Sequence, residues 1–119
     1  MVAVPRGHHI ISEVFADPEV LDDLEFLKDT FLTAAEIAGL QILDVKFHKF
    51  EPMGVSGILL ISESHVSIHT WPEDGYAAID IFTCGDVRKC WEAYQYIISR
   101  INARHHIEIE IKRGLLDES

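Results

Sequence analysis

Cysteine is scarce in this chain of 119 residues, which contains only Cys84 and Cys90. Two cysteines are too few for a disulfide framework, and they do not resemble the four ligands of a zinc site. Basic residues are also few: the chain has 10 basic and 20 acidic residues, which gives a formal net charge of −10. A nucleic-acid binder needs a cationic face, so this charge argues against that class. It suits a cationic substrate, although solubility alone also accounts for it.

Long apolar runs are missing as well. The apolar runs last only a few residues, so the sequence predicts no membrane span. The amino terminus, MVAVPRGHHIISEVF, lacks a basic segment followed by an apolar stretch of the signal-peptide type. We therefore expect a cytoplasmic protein. With 48% hydrophobic residues, residues 1–119 can form one packed domain and have no room for a second core.

The seven histidines do not have the spacing of a metal site. His65 and His69 are four residues apart, which would make a chelating pair in a helix. In a strand they lie roughly 13 Å apart, too far to share one ion. The adjacent pairs at 8–9 and 105–106 would point to opposite faces of their strands. We therefore expect no metal.

Alternation of apolar residues and helix-end signals predict an α+β domain. Strands are predicted over His8–Ala16, Gln41–Phe50, Gly57–Ile61, His65–Trp71, Tyr76–Cys84 and His105–Lys112. Helices are predicted from Asp17-Pro18 to Gly39 and from Asp86 to Ala103. Short connections favour antiparallel neighbours, so we expect a two-layer α/β sandwich, with one mainly antiparallel sheet and two helices on one face. The other face stays partly apolar, and we expect it to pair with a second copy.

The stretch from Glu63 to Gly85, ESHVSIHTWPEDGYAAIDIFTCG, carries the candidate chemistry. The Ser64 hydroxyl can attack the carbonyl of the preceding residue, Glu63, and shift the amide to an ester. Elimination across Cα–Cβ then releases the upstream chain and leaves a dehydroalanine, which rearranges and hydrolyses to a pyruvoyl group and ammonia. A base must remove the Cα proton, and an imidazole suits this near neutral pH. Taken alone, such a serine is more often a strand-edge residue bonded to backbone.

This stretch resembles the signature of the prokaryotic S-adenosylmethionine decarboxylases, and the resemblance extends more loosely over nearly the whole chain. It implies a pyruvoyl-dependent carboxy-lyase that makes decarboxylated S-adenosylmethionine for spermidine and polyamine synthesis. The zymogen would cut itself into residues 1–63 and 64–119, the β and α chains. The cleaved protomers would form a homodimer, and we expect no activation by putrescine.

The resemblance also implies roles in processing. Ser64 would become the pyruvoyl group, the covalent cofactor that forms a Schiff base with the substrate. His69 would be the processing base, and Ser56, in Gly54-Val55-Ser56-Gly57, would assist cleavage after Glu63. A regular strand puts residues five apart on opposite faces. Either the strand therefore bends at the cleavage site, or the assignment of His69 fails.

Three more residues have roles in turnover by resemblance. Cys84, just before the second helix, would donate a proton to the substrate Cα after carbon dioxide leaves. Glu73 would bind the ribose hydroxyls, and Phe50 would stack on adenine beside the sulfonium. Each residue also has a simpler interpretation. Cys84 would be a buried small side chain, Glu73 an exposed glutamate in a turn, and Phe50 a core residue. Cys90, inside the helix, is expected to serve packing only.

Two departures from the family pattern bear on substrate identity. Gly7-His8-His9 stands where these enzymes often have glycine, a basic residue and histidine, and Met53 stands where tyrosine or glutamine is common. One alternative is therefore a pyruvoyl-dependent arginine or ornithine decarboxylase on the same scaffold. An alternative of another class is a non-catalytic dimeric binding module.

Overall fold

The computed structural model describes residues 3–117, which form a six-stranded sheet covered by helices on one face. The strands of this sheet are β2 (Gly7–Phe15), β3 (Ile42–Lys49), β4 (Val55–Ile61), β5 (Ser64–Trp71), β6 (Tyr76–Thr83) and β7 (His105–Arg113). The order across the sheet is β3-β4-β5-β6-β2-β7, and every neighbouring pair is antiparallel. The helices are α1 (Pro18–Leu21), α2 (Leu24–Ala38) and α3 (Val87–Ile101), with a 3₁₀ turn at Pro72–Asp74. The predicted two-layer sandwich is confirmed.

Strand alternation separates a buried face from an open one. On β2, Ile10 and Val14 are buried in the core, whereas Glu13 on the opposite face is exposed. The polar side chain of Ser12 shares the buried face, where its Oγ lies 2.5 Å from the hydroxyl oxygen of Tyr94 on α3. A buried hydroxyl needs a hydrogen-bond partner. This contact supplies one to both Ser12 and Tyr94, so both hydroxyls can be buried between the sheet and the helices. No helix in residues 3–117 is long and apolar enough to cross a membrane.

The first helix departs from the prediction. The sequence predicts one helix over 17–39, but α1 ends at Leu21 and α2 begins at Leu24. Asp23 starts the second helix, because its side chain accepts a hydrogen bond from the backbone N–H of Phe26 at 3.0 Å. The helical spacing of apolar residues continues through Leu21 and Leu24, so periodicity alone does not reveal the break.

Two strand boundaries and one small sheet also differ from the prediction. Strand β4 begins at Val55, two residues before the predicted start, and β5 begins at Ser64 itself. The connection between them is thus a two-residue turn, Ser62 and Glu63. A second sheet, absent from the prediction, pairs β1 (Ala3–Val4) with β8 (Leu116–Asp117). Strands of two residues are too short to show alternation in a sequence.

The open face of the sheet carries apolar side chains toward its outer strands. The large exposed ones are Ile58 and Leu60 on β4 and Ile107, Ile109 and Ile111 on β7. Between them lie polar groups of β5 and β6, among which are His65, His69 and Asp80. Rows of exposed isoleucine are typical of a surface that another protein surface covers.

Candidate active site

The Glu63–Ser64 bond lies at the tight turn that joins β4 to β5. Ser64 is paired with Ile61 on β4 and with Thr83 on β6, and its φ of 159° is close to fully extended backbone. The backbone N–H of Cys84 donates to the carbonyl oxygen of Glu63, with an N···O distance of 3.0 Å. This is the carbonyl that the Ser64 hydroxyl would attack. An N–H donor there polarises the carbonyl and can stabilise negative charge that develops on its oxygen.

Cys84 is exposed at the same end of the sheet, between β6 and α3. The chain turns here because the backbone N–H of Gly85 donates to Thr83 Oγ1 at 2.9 Å. A side chain at position 85 would meet the carboxylate of Glu63, so Gly85 and the Glu63 side chain lie against each other at this end of the sheet. Cys90, in the first turn of α3, is buried in the core. Burial is the main cause that raises the pKa of its thiol. The geometry thus separates an accessible thiol from a packed one.

Ser56 and His69 form a second group on the open face. They face each other across β4 and β5 as Cα partners, and Ser56 Oγ lies 2.8 Å from His69 Nδ1. The imidazole ring is exposed, whereas Ser56 is half-buried. The hydroxyl and the imidazole therefore form a hydrogen-bonded pair that is open to a reacting group.

This pair borders a cavity of about 320 Å³ that also contains both predicted substrate-binding residues. Its walls include Phe50, Met53, Ser56, His69, Trp71 and Glu73. Phe50 and Trp71 are 46% and 42% exposed, so part of each residue is accessible to a ligand. Trp71 is held in place by stacking on Tyr76, with ring centroids 5.3 Å apart.

Sequence reasoning gave Trp71 no role in this cavity. A signal was present, because Trp71 alternates with the buried Thr70 and so falls on the open face of β5. It also directly precedes Pro72 and Glu73, the second of which was expected to bind substrate. A large aromatic residue that is exposed beside an expected ligand-binding residue indicates a recognition surface.

Within one chain, the structure does not bring His69 to Ser64. Strand β5 pairs without interruption with β4 and β6 between these residues, so the bend considered above is absent. The two side chains lie on opposite faces, and five residues at about 3.3 Å each separate them by roughly 16 Å. The candidate site is thus divided into the end with the expected cleavage position, where Glu63, Ser64 and Cys84 lie, and a cavity end, where His69 lies. We call these the cleavage end and the cavity end.

Partial burial on the open face favours the neutral forms of two ionisable side chains, His65 and Tyr76. Burial is the main cause that lowers the pKa of His65, and His9 lowers it further while Asp80 opposes the shift. Burial also raises the pKa of Tyr76 to about 12, together with a hydrogen bond that its hydroxyl donates to Glu13 at 2.6 Å. In the described part of the chain, no three His, Cys, Asp or Glu side chains gather to hold a metal ion.

Known proteins resemble this chain over nearly its whole length. The family model described as S-adenosylmethionine decarboxylase matches residues 8–114. The S-adenosylmethionine decarboxylase proenzyme of Thermoanaerobacter sp. (strain X514) is 47% identical over 113 residues, covering 94% of this chain and 91% of that protein. The proenzyme of the same name from Clostridium kluyveri (strain ATCC 8527) is 45% identical over 113 residues, covering 94% and 90%.

A solved structure has the same fold. The crystal structure of the adenosylmethionine decarboxylase from Aquifex aeolicus VF5 superposes with a TM-score of 0.90 at 34% sequence identity. The match covers 97% of this chain and 96% of that one. Sequence and fold therefore agree on one family.

The burial of His65 predicts that acid destabilises the protein. Its pKa in the folded protein lies below the ordinary value of 6.5, so the unfolded chain binds the proton more readily. The contribution of neutral His65 to the unfolding free energy is thus present above about pH 6.5 and is lost as the pH falls through the folded pKa. Urea unfolding at about pH 7.5 and about pH 5 measures this loss. In His65→Gln the loss should be smaller.

The matched control is His48→Gln, which changes an exposed histidine of β3. This variant should show the acid sensitivity of the wild type. Equal acid sensitivity in all three proteins would contradict a lowered pKa of His65.

Proposed function

The chain belongs to the S-adenosylmethionine decarboxylase family, and we propose that it is a self-cleaving, pyruvoyl-dependent decarboxylase of S-adenosylmethionine. The observation that carries this proposal is the cleavage turn. Ser64 directly follows the Glu63 carbonyl, and that carbonyl accepts the backbone N–H of Cys84 at 3.0 Å. A nucleophile, an acyl carbon and a donor for its oxygen therefore come together at one turn.

Processing begins when Ser64 Oγ bonds to the carbonyl carbon of Glu63 and the bond from that carbon to the Ser64 nitrogen breaks. The resulting ester loses the Ser64 Cα proton to a base, and its Cβ–O bond breaks, releasing residues 1–63 with a new carboxylate. The remaining dehydroalanine becomes an imine, and water replaces its nitrogen as ammonia. Residues 64–119 then begin with a pyruvoyl group, whose carbonyl supplies an electron sink for decarboxylation.

His69 fits the role of the base only if a second copy of the chain is present. In one chain it lies roughly 16 Å from Ser64 along β5. The open face that carries His69 also carries the exposed isoleucines of β7, such as Ile107, which is 55% exposed. A two-fold dimer through this face would be reciprocal, so each chain would offer the same groups to the other. We place His69 and Ser56 of one protomer at the cleavage turn of its partner.

The cavity beside His69 suits the proposed substrate. S-adenosylmethionine offers an adenine ring and a sulfonium cation, both of which favour aromatic faces, and Phe50 and Trp71 supply them. Glu73 supplies a carboxylate that can accept hydrogen bonds from ribose hydroxyls. Arginine can also stack its guanidinium on an aromatic face, but neither arginine nor ornithine combines an adenine ring with ribose hydroxyls. The combination of aromatic rings and Glu73 therefore favours S-adenosylmethionine. Cys84, exposed at the cleavage end, is the proposed donor of the proton to Cα.

Self-cleavage is the first prediction of this proposal. Intact-mass measurement of the purified protein should give fragments of 63 and 56 residues (119 − 63 = 56), the smaller one blocked at its amino terminus. Ser64→Ala should remain a single chain, because it has no hydroxyl to form the ester. A wild type that stays uncut while fully active would refute the pyruvoyl mechanism, and an uncut, inactive one would favour a binding module.

Cleavage by the partner's histidine is the second prediction. Ser64→Ala and His69→Ala should each stay uncut when expressed alone. When the two are co-expressed with different tags, mixed dimers combine an intact Ser64 on one chain with an intact His69 on the other. Intact-mass measurement should then find cleavage of the His69→Ala chain only. If that chain stays uncut in purified mixed dimers, the partner's His69 does not serve as the base.

The third prediction separates the two thiols. In cleaved protein, Cys84→Ala should lower kcat by about a hundred-fold, as is typical when a general acid is lost. Cys90→Ala is the matched control, since Cys90 is buried in the core and should affect stability while kcat stays close to that of the wild type. Steady-state kinetics and thermal unfolding of both variants measure this difference. Equal, mild losses of activity in both would remove Cys84 from the mechanism.

A further inference from the structure

The loop between β3 and β4 forms one wall of the candidate substrate cavity. It runs over residues 50–54 and presents Phe50 and Met53 to the cavity. Phe50 and Met53 are 46% and 41% exposed, and the Phe50 ring meets the His48 ring edge-on, with centroids 4.6 Å apart. The loop is closed at its base, where the backbone N–H of Phe50 donates to the carbonyl oxygen of Gly54 at 2.8 Å. Gly54 has a φ of 116°, which favours glycine.

Asp22 holds this loop from outside. Its Oδ1 accepts the backbone N–H of Gly54 at 2.7 Å, a contact between residues 32 positions apart. The same oxygen lies 3.0 Å from Lys49 Nζ, and Lys49 Nζ also donates to the carbonyl oxygen of Phe50 at 3.3 Å. One carboxylate therefore binds groups on both sides of the loop.

The position of Asp22 is itself well defined. It lies in the break between α1 and α2, where its backbone N–H donates to Pro18 O at 3.1 Å. The following residue, Asp23, is committed to capping α2. The carboxylate that contacts the loop therefore belongs to the C-cap residue of α1, next to the residue that caps α2.

Charge strengthens this contact. The hydrogen bond from Gly54 is the main cause that lowers the pKa of Asp22, and the neighbouring Lys49 lowers it further. The carboxylate is thus ionised at neutral pH, and hydrogen bonds to an ionised acceptor are stronger than those between neutral groups. Asp22 also borders a second cavity of about 330 Å³, which shares Met53 and Glu73 with the first.

We propose that Asp22 is a positioning residue for substrate binding, because it fixes the 50–54 loop so that Phe50 stands opposite Trp71 and Glu73. This inference rests on the proposed function. Asp22 binds Gly54 and Lys49 and not His69 or Ser56, which are the groups proposed to act at the partner's cleavage turn. The cleavage turn of its own chain lies at the other end of β5. Loss of Asp22 should therefore weaken binding and leave the extent of self-cleavage and kcat unchanged. A mobile Phe50 would weaken binding of the substrate and of the transition state by the same factor, which raises KM and leaves kcat unchanged.

The test compares Asp22→Ala with Asp22→Asn and with the control Asp23→Ala. Asp22→Ala should raise KM for S-adenosylmethionine by about ten-fold or more at nearly unchanged kcat. Asp22→Asn keeps an oxygen for the Gly54 N–H and should raise KM less. Asp23→Ala removes a helix cap from the neighbouring position, so it should lower the Tm and leave KM near the wild-type value.

Hydrogen exchange of the Gly54 amide adds a readout that does not depend on activity. Exchange should be faster in Asp22→Ala than in the wild type and in Asp23→Ala. Unchanged exchange in Asp22→Ala overturns the proposal, and so does faster exchange with an unchanged KM. If the wild type has no decarboxylase activity, the proposed function fails, and the exchange rates still decide whether Asp22 holds the loop.

Discussion

Strand β5 is hydrogen-bonded to a neighbour on each side from Ser64 to Trp71, and the organisation of the site depends on this constraint. A strand inside a sheet cannot bend locally without breaking the ladders on both sides, so its side chains keep strict alternation. The cleavage turn is therefore fixed at one end of β5, and the cavity residues are fixed at the other. Any chemistry that needs both ends requires a second molecule.

In the proposed function, the open face of the sheet serves both association and chemistry. Strands β4 and β7 carry exposed isoleucines, whereas the centre of the face carries His9, His65 and Asp80. His9 Nε2 lies 3.0 Å from Asp80 Oδ1, so His9 and Asp80 satisfy one another within the protomer. Paired polar groups can be covered at a lower desolvation cost than unpaired ones. The face can thus be buried by a partner while it keeps ionisable groups near the cavity.

Departures from regular structure contribute to the cavity wall. The break between α1 and α2 contains Asp22, whose carboxylate binds Gly54 and Lys49. In our proposal this contact fixes the position of the loop at 50–54. A local signal for two helices was present in the consecutive aspartates, because aspartate is a strong helix cap. The contact between Asp22 and the 50–54 loop is seen only in the tertiary structure, because Asp22 and Gly54 are 32 positions apart.

The sequence by itself determined the faces of the strands, the helix limits at Asp17, Gly39 and Asp86, and the identity of the chemical groups. These features are local: alternation, capping and the adjacency of Glu63 and Ser64 depend on neighbours along the chain. The tertiary structure decided which groups meet, such as Ser56 with His69 and the Cys84 N–H with the Glu63 carbonyl. It also decided that His69 is kept from Ser64 in the same chain. Such pairings depend on the register between strands, which the packing of the whole sheet fixes.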